Sequence, residues 1–273
     1  MTNSKINWFP GHMTKALKEM KSILPNIDVI LYVLDSRAPI SSINPSLNKL
    51  AQGKKILYVF NKLDMADEGK VKTIAEKFKT NESDYLCINS TMSGASNLIK
   101  NKILALVKEK IEKYKQKGIK TTIRAMVVGI PNSGKSTLIN NLCGKAKTIT
   151  GNKPGVTKGM QWLNIGNNIE ICDTPGTLYP NLNDQEVAKK LAFIGSIKDN
   201  IIDQIDLAND LISILINQYK NEFEKRYNGA KTLEEIATKR GYVIAGGEKD
   251  IERTAVAVID DFRKCRIGRI TLD

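Results

Sequence analysis

Short, almost wholly apolar runs alternate along the first two thirds of the chain with stretches whose apolar residues recur every three to four positions. The runs 28–35, 55–61, 85–90, 123–129, 160–165 and 168–173 have the length and side-chain character of strands. Helical spacing is clearest over 95–117, where Ile99, Ile103, Leu106, Val107, Ile111 and Tyr114 share one face, and a shorter amphipathic stretch covers 14–24. Strand–helix alternation predicts an α/β fold with right-handed crossovers and a mostly parallel sheet covered on both faces. The closely spaced pair between 160 and 173 reads as a hairpin, so one sheet edge is expected to be antiparallel.

Beyond residue 184 the strand signal stops. Ala208, Leu211, Ile212, Leu215 and Tyr219 form one helical stripe, and Ile251, Ala255, Val258, Ile259 and Phe262 form another. Residues 232–239 suit a short helix ending near Gly241, with a break at Gly246-Gly247. The chain therefore divides into an α/β domain over 1–184 and a small all-α domain over 185–273.

Charge adds a partner class. The 42 Lys and Arg outweigh 29 acids, for a net charge of +13. Residues 1–184 hold 27 basic and 14 acidic side chains; 185–273 hold 15 of each, but six of the eight arginines, with Arg263, Lys264, Arg266 and Arg269 clustered at the end. Such a balance points to a polyanion, nucleic acid ahead of membrane. The plain alternative is a lysine-rich composition that merely solvates the surface. The apolar runs are too short to span a bilayer, and the start has no apolar signal core, so the protein is expected in the cytoplasm. Cys87, Cys143, Cys172 and Cys265 are scattered, with no CxxC and a single histidine, which argues against zinc or a disulfide framework.

The most specific chemistry lies at Gly129-Ile-Pro-Asn-Ser-Gly-Lys-Ser136, which fits GxxxxGK[ST] between a predicted strand and a predicted helix. Such a loop turns the amides of Asn132, Ser133, Gly134, Lys135, Ser136 and Thr137 towards phosphate, helped by the helix N-terminus. Lys135 would bridge the β- and γ-phosphates and the Ser136 hydroxyl would bind Mg²⁺. Asp173-Thr-Pro-Gly176 follows the last predicted strand: Asp173 is placed to hold Mg²⁺ through water and the Gly176 amide to sense the γ-phosphate. Read alone, the same four residues are a turn. Thr157 lies between the two motifs and is a candidate Mg²⁺ ligand when a γ-phosphate is present. Asn61-Lys-Leu-Asp64 ends another strand. The Asp64 carboxylate can accept N1–H and the 2-amino group of guanine, a donor pair that adenine lacks. Asn61 would bond the base or tie down the phosphate loop, and the Lys62 stem would lie along the base. The Ser90-Thr91 turn is expected to offer an amide to guanine O6.

The order is unusual: NKxD and Ser90-Thr91 precede the phosphate loop, Thr157 and DTPG. This order resembles the circularly permuted GTPase family, whose site can form because parallel-sheet elements tolerate new termini on surface loops. Within that family, Trp8-Phe-Pro-Gly-His-Met13 and the run Asp35-Ser-Arg37-Ala-Pro39-Ile-Ser41-Ser-Ile-Asn44-Pro45 look like the bacterial branch that acts in ribosome biogenesis. The resemblance covers essentially the whole chain. It implies a GTPase acting late in assembly of the large (50S) subunit, binding its 23S rRNA and stimulated by the particle. It also implies that His12 replaces the usual water-orienting glutamine, and that Asn132 is a candidate for holding K⁺ beside the β–γ bridge. The residue after Gly176 is Thr177, neither glutamine nor the family's aliphatic residue. Read without the resemblance, His12 is as easily a helix cap and Asn132 a loop-stabilising side chain; Trp8 and Phe9 read as packing residues. Two other functions remain: a permuted GTPase serving the small subunit, and an RNA-binding module with a vestigial nucleotide site.

Overall fold

The computed structural model describes residues 11–144, 160–178 and 184–273, with the His12 side chain left out of that description. Strand β1 (Val29–Asp35) is buried along its whole length. A strand with no polar face needs helices on both sides of its sheet. Val29, Leu31 and Val33 meet helices α4 (Ala95–Leu106) and α6 (Lys135–Cys143) through Ile99, Ile103, Leu138 and Ile139. The alternate residues Ile30, Tyr32 and Leu34 meet α1 (Gly11–Ile23), α2 (Pro45–Leu50) and α3 (Glu68–Glu76) through Met20, Leu47 and Val71.

With β2 (Lys55–Asn61), β3 (Ser83–Cys87), β4 (Ile123–Val128), β5 (Gln161–Asn164) and β6 (Ile169–Asp173), the sheet order is β3-β2-β1-β4-β6-β5. All neighbours are parallel except the β5–β6 hairpin, the antiparallel edge expected from the spacing. Two expectations are corrected locally. The third strand ends at Cys87 rather than 90, because the Asn89 side chain accepts from the amide and hydroxyl of Thr91 and turns the chain. The helix over 95–117 is two helices, α4 and α5 (Lys108–Gln116), separated at Val107 with φ −110°. The short α2 and α3 carried too little periodicity to be foreseen; both begin at side-chain caps, Asn44 and Asp67.

From Asp184, which caps α7 (Gln185–Phe193), the chain is helical: α8 (Gln204–Gln218), α9 (Lys220–Tyr227), α10 (Leu233–Arg240) and α11 (Ile251–Arg263). Their core of Leu191, Phe193, Leu211, Leu215, Phe223, Val258 and Phe262 runs on without a gap into Met13, Ala38, Ile130 and Leu178 of the α/β part. The chain after α11 lies back across that part. Leu272 N–H donates to the Arg37 carbonyl, and the Asp273 carboxylate accepts from the amides of Ile40 and Ser41. No helix among the described residues is long and apolar enough to cross a membrane.

Candidate nucleotide-binding site

The motifs are far apart in sequence, yet they gather at one end of the sheet, because parallel strands present all their carboxyl ends on the same edge. The phosphate loop follows the central strand β4. Asn61 ends β2 and Asp173 ends β6.

The loop is braced by the close approach of the Asn61 and Lys62 side chains. Gly134 has φ +94°, and a Cβ there would lie 2.1 Å from Asn61 Nδ2; only glycine leaves room for that amide. Asn61 Nδ2 donates to the Ser133 carbonyl at 2.9 Å, and Lys62 Nζ donates to the Asn132 carbonyl. Asn61 Oδ1 in turn accepts the Ser90 amide at 2.9 Å and its hydroxyl at 2.6 Å. Two sequence-distant motifs thus brace one loop. Ser133 itself is buried, with Oγ donating to the Ile130 carbonyl, so its contribution to phosphate is confined to the main chain. Ser136 and Thr137 start α6 and are half-buried.

Lys135 is 6% exposed and its Nζ donates to the carbonyls of Ile130 (2.8 Å) and Gly129 (3.2 Å). Gly176 comes against it: a Cβ there would lie 2.9 Å from Lys135 Nζ and 2.8 Å from the Pro131 backbone. Burial lowers the Lys135 ammonium to about 8, against the pull of Asp173. Burial likewise pushes the Asp173 carboxyl up to about 6, opposed by Lys135. Asp173 Oδ1 is buried and has no hydrogen-bond partner. A buried acceptor of that kind costs about 1–3 kcal/mol unless something supplies a donor or a positive charge. The unpartnered Asp173 oxygen is therefore chemically suited to a hard divalent cation.

Asp64, the candidate guanine acceptor, is exposed. The burial that base discrimination requires must therefore come from the base laid against it. In the Ser90-Thr91 turn, the Ser90 amide and hydroxyl are both given to Asn61, and those of Thr91 to Asn89. Ser90 buttresses Asn61, and the turn satisfies itself because its Asx geometry matches its own donors.

One pair at this edge was singled out in sequence only through resemblance. Asp35 ends β1 and is fully buried. Its Oδ1 accepts from the Arg37 amide and Nε, and its Oδ2 from Arg37 Nη2 (2.7 Å) and Lys62 Nζ (2.8 Å). Although burial opposes ionisation, the two cations hold this carboxyl well below the usual range. An aspartate closing an apolar strand with arginine two positions on was the available signal. Asn44, farther along the same loop, donates Nδ2 to the Thr177 carbonyl at 2.9 Å. Thr177 is fully buried with its amide on the Gly129 carbonyl, so this side chain is packed rather than turned to a ligand.

Asn132 is left-handed (φ 59°), and its Nδ2 donates to the Gly195 carbonyl at 2.6 Å; the structure gives this amide a loop-fastening contact. Three of the four residues of the C-terminal basic cluster are paired with acids. Arg263 pairs with Asp199, Lys264 with Asp260, and Arg266 with Asp260 and Asp261. Lys264 reaches an acid one turn back on α11, Arg266 reaches the same stretch from beyond the helix, and Arg263 reaches across to Asp199 before α8. Thr157, Trp8 and Phe9 lie outside the described residues, as does the His12 side chain. Its neighbour Met13 is described: it is buried, and its sulfur accepts the Leu178 amide at 3.3 Å, so the start of α1 is fastened two residues past Gly176.

A phosphate loop after the central strand, an Asp-x-x-Gly turn on one side and an Asn-Lys-x-Asp turn bonded to it on the other define a P-loop GTPase. The profile of the family described as "50S ribosome-binding GTPase" matches residues 124–244. Ribosome biogenesis GTPase A of Bacillus licheniformis is 40% identical over 98% of this chain and 98% of its own length. The protein of the same name from Thermotoga maritima is 32% identical over 98% of this chain and 94% of its own. The crystal structure of GNP-bound YlqF from T. maritima superposes with a TM-score of 0.68 at 27% identity, covering 95% of this chain and 97% of that one. The chain belongs to the ribosome biogenesis GTPase A family.

Proposed function

We propose that this protein hydrolyses GTP as an assembly factor for the large (50S) ribosomal subunit, binding its 23S rRNA during late maturation. The observation that carries the reading is the bonding of Asn61 and Lys62 to the Ser133 and Asn132 carbonyls. It assembles a guanine-nucleotide site from motifs in permuted order. We assign 1–184 as the permuted GTPase domain and 185–273 as the helical domain that meets RNA and ribosome.

In this reading the amides of Asn132 to Thr137 and of Gly176, with Lys135, bind the phosphates, while Asn61, Lys62 and Asp64 take the guanine side, backed by Ser90 and Thr91. Ser136 and Asp173, with Thr157, would hold Mg²⁺; the orphaned Asp173 Oδ1 supports this fit. The ion supplies neutralisation of charge on the β- and γ-phosphates. K⁺ would call on Asn132 Oδ1, since Nδ2 is engaged by Gly195. With Thr177 buried, no side chain directly after Gly176 orients water. His12 fills that role in the proposal, supported by the anchoring of α1 through Met13. Intrinsic turnover is accordingly expected to be low and raised by the particle.

The deciding experiment is GTP hydrolysis in Mg²⁺ with K⁺ or Na⁺, alone and with purified 50S or 30S particles. Stimulation by 50S particles alone is the expected result, and loss of that stimulation in His12→Ala supports the histidine. Stimulation by 30S alone moves the function to the small subunit, and absence of any Mg²⁺-dependent phosphate release removes the enzymatic reading.

A further inference from the structure

The C-terminal end of α7 is held in a way that no helix requires for its own stability. The last carbonyls of a helix have no intrahelical partners and are ordinarily satisfied by water or a glycine cap. Here four consecutive carbonyls each accept a side-chain donor from another part of the chain. Ala192 O takes Arg263 Nη2 (2.8 Å) and Phe193 O takes Arg263 Nε (3.0 Å). Ile194 O takes Arg37 Nη2 (3.3 Å), and Gly195 O takes Asn132 Nδ2 (2.6 Å). Ser196 Oγ then donates to the Pro131 carbonyl at 2.8 Å. The three donors come from α11, from the loop after β1, and from the phosphate loop itself.

Those donors are not independent. Arg37 Nη1 also reaches the Arg263 carbonyl at 3.2 Å, and its guanidinium stands 5.8 Å from the Phe262 ring centroid. On its other side it is forked onto Asp35, which holds Lys62, which holds the Asn132 carbonyl. A closed circuit therefore runs from the phosphate loop through Lys62, Asp35 and Arg37 to α7 and back through Asn132. The other end of α7 begins at Asp184, six residues beyond Leu178 and the Gly176 turn. The helix is thus tied at its C-terminus to the loop proposed to hold the β-phosphate and leads at its N-terminus from the turn proposed to sense the γ-phosphate.

We propose that the clamped end of α7 is the point through which nucleotide and the helical domain bias one another, with Arg37 and Arg263 as positioning residues for nucleotide binding. This rests on the assignment of the site to guanine nucleotide. The physical basis is reciprocity. A contact set that places the phosphate loop and seats α7 cannot favour one without favouring the other, and coupling of this kind typically amounts to ~5-fold or more in affinity. Arg263 is the sharper probe, because among the described residues its side-chain hydrogen bonds go to α7 and Asp199, with none to the phosphate loop or the Asn61–Asp64 turn.

The test uses the full chain and N-methylanthraniloyl-GDP, comparing wild type, Arg263→Ala, Arg37→Lys and, as control, Arg240→Ala. Arg240 also belongs to the helical domain and pairs with a buried acid, Asp261, but it lies outside the circuit. The expected result is ~5-fold or faster GDP release in Arg263→Ala and Arg37→Lys, with Arg240→Ala like wild type. Hydrogen exchange gives a second readout: GDP slows exchange at 191–197 in wild type and loses that effect in the two clamp variants. The inference is overturned if either clamp variant loosens α7 by exchange yet binds GDP as wild type does. It is equally overturned if Arg240→Ala weakens GDP to the same extent, since the effect would then be general destabilisation. Wild type failing to bind the probe would instead sink the guanine-nucleotide assignment itself, and the inference with it.

Discussion

The carboxyl ends of β1 and β6 each carry a buried aspartate, and the two are electrostatic opposites. Asp35 accepts four hydrogen bonds from Arg37 and Lys62, so its charge is fully compensated within the protein and its carboxyl stays ionised. Asp173 is equally buried, but one oxygen has no partner, and Lys135 opposes only part of the cost of burying its charge. A finished ion cluster belongs to the framework, where losing one member strands the others. An unfinished one belongs to a site whose remaining partner arrives with the ligand. The contrast separates a residue that holds the loop from one proposed to meet the nucleotide, although both are aspartates at strand ends on the same edge.

The contrast breaks most sharply under paired substitution. Asp35→Asn leaves Arg37 and Lys62 as buried cations without their counter-charge, and chemical denaturation should show a loss of about 3–5 kcal/mol. Failure to lose at least 1 kcal/mol would mean that the cluster is not structural. Asp173→Asn should do the reverse: denaturation midpoint unchanged or raised, with Mg²⁺-dependent GTP hydrolysis down by about two orders of magnitude. A destabilised Asp173→Asn would place this residue in the framework instead.

Next comes the junction between the two regions. Gly134→Ala puts a methyl onto Asn61 Nδ2 at a positive φ. The strain of about 1–3 kcal/mol should weaken GDP binding by about tenfold, read by titration, while leaving the sheet's unfolding cooperative. The smallest effect is on pH. A folded-state value near 6 for Asp173, above its unfolded value, means that the folded protein binds the extra proton, so ionising Asp173 costs stability above pH 6. Ligand-free wild type should gain about 1 kcal/mol relative to Asp173→Asn between pH 7 and pH 5. Asp35 has the opposite sign: its contribution persists through this range and is lost only below the ordinary carboxylate range. By the same competition, the Mg²⁺ needed for GDP retention should rise as pH falls through 6.

Local patterns in the chain were enough to determine six strands, the antiparallel hairpin edge, the phosphate loop and the helical character of the last third. Each of these follows from spacing within a few residues: β1 is apolar throughout, and Gly134-Lys135-Ser136 must open a helix after a strand. Family membership was equally legible, because the motif order is itself a sequence property. Tertiary structure alone decided what the side chains around those motifs do. Ser90 is bonded to Asn61, Thr177 is packed under Asn44, and Arg263 and Arg266 are paired with acids. Asn132 fastens α7, and Asp35-x-Arg37 joins the guanine turn to a helix more than 150 residues away in the chain. A side-chain donor is assigned by whichever acceptor lies within about 3 Å of it, and proximity across a parallel sheet edge is set by strand order and packing. No spacing rule along the chain carries that information.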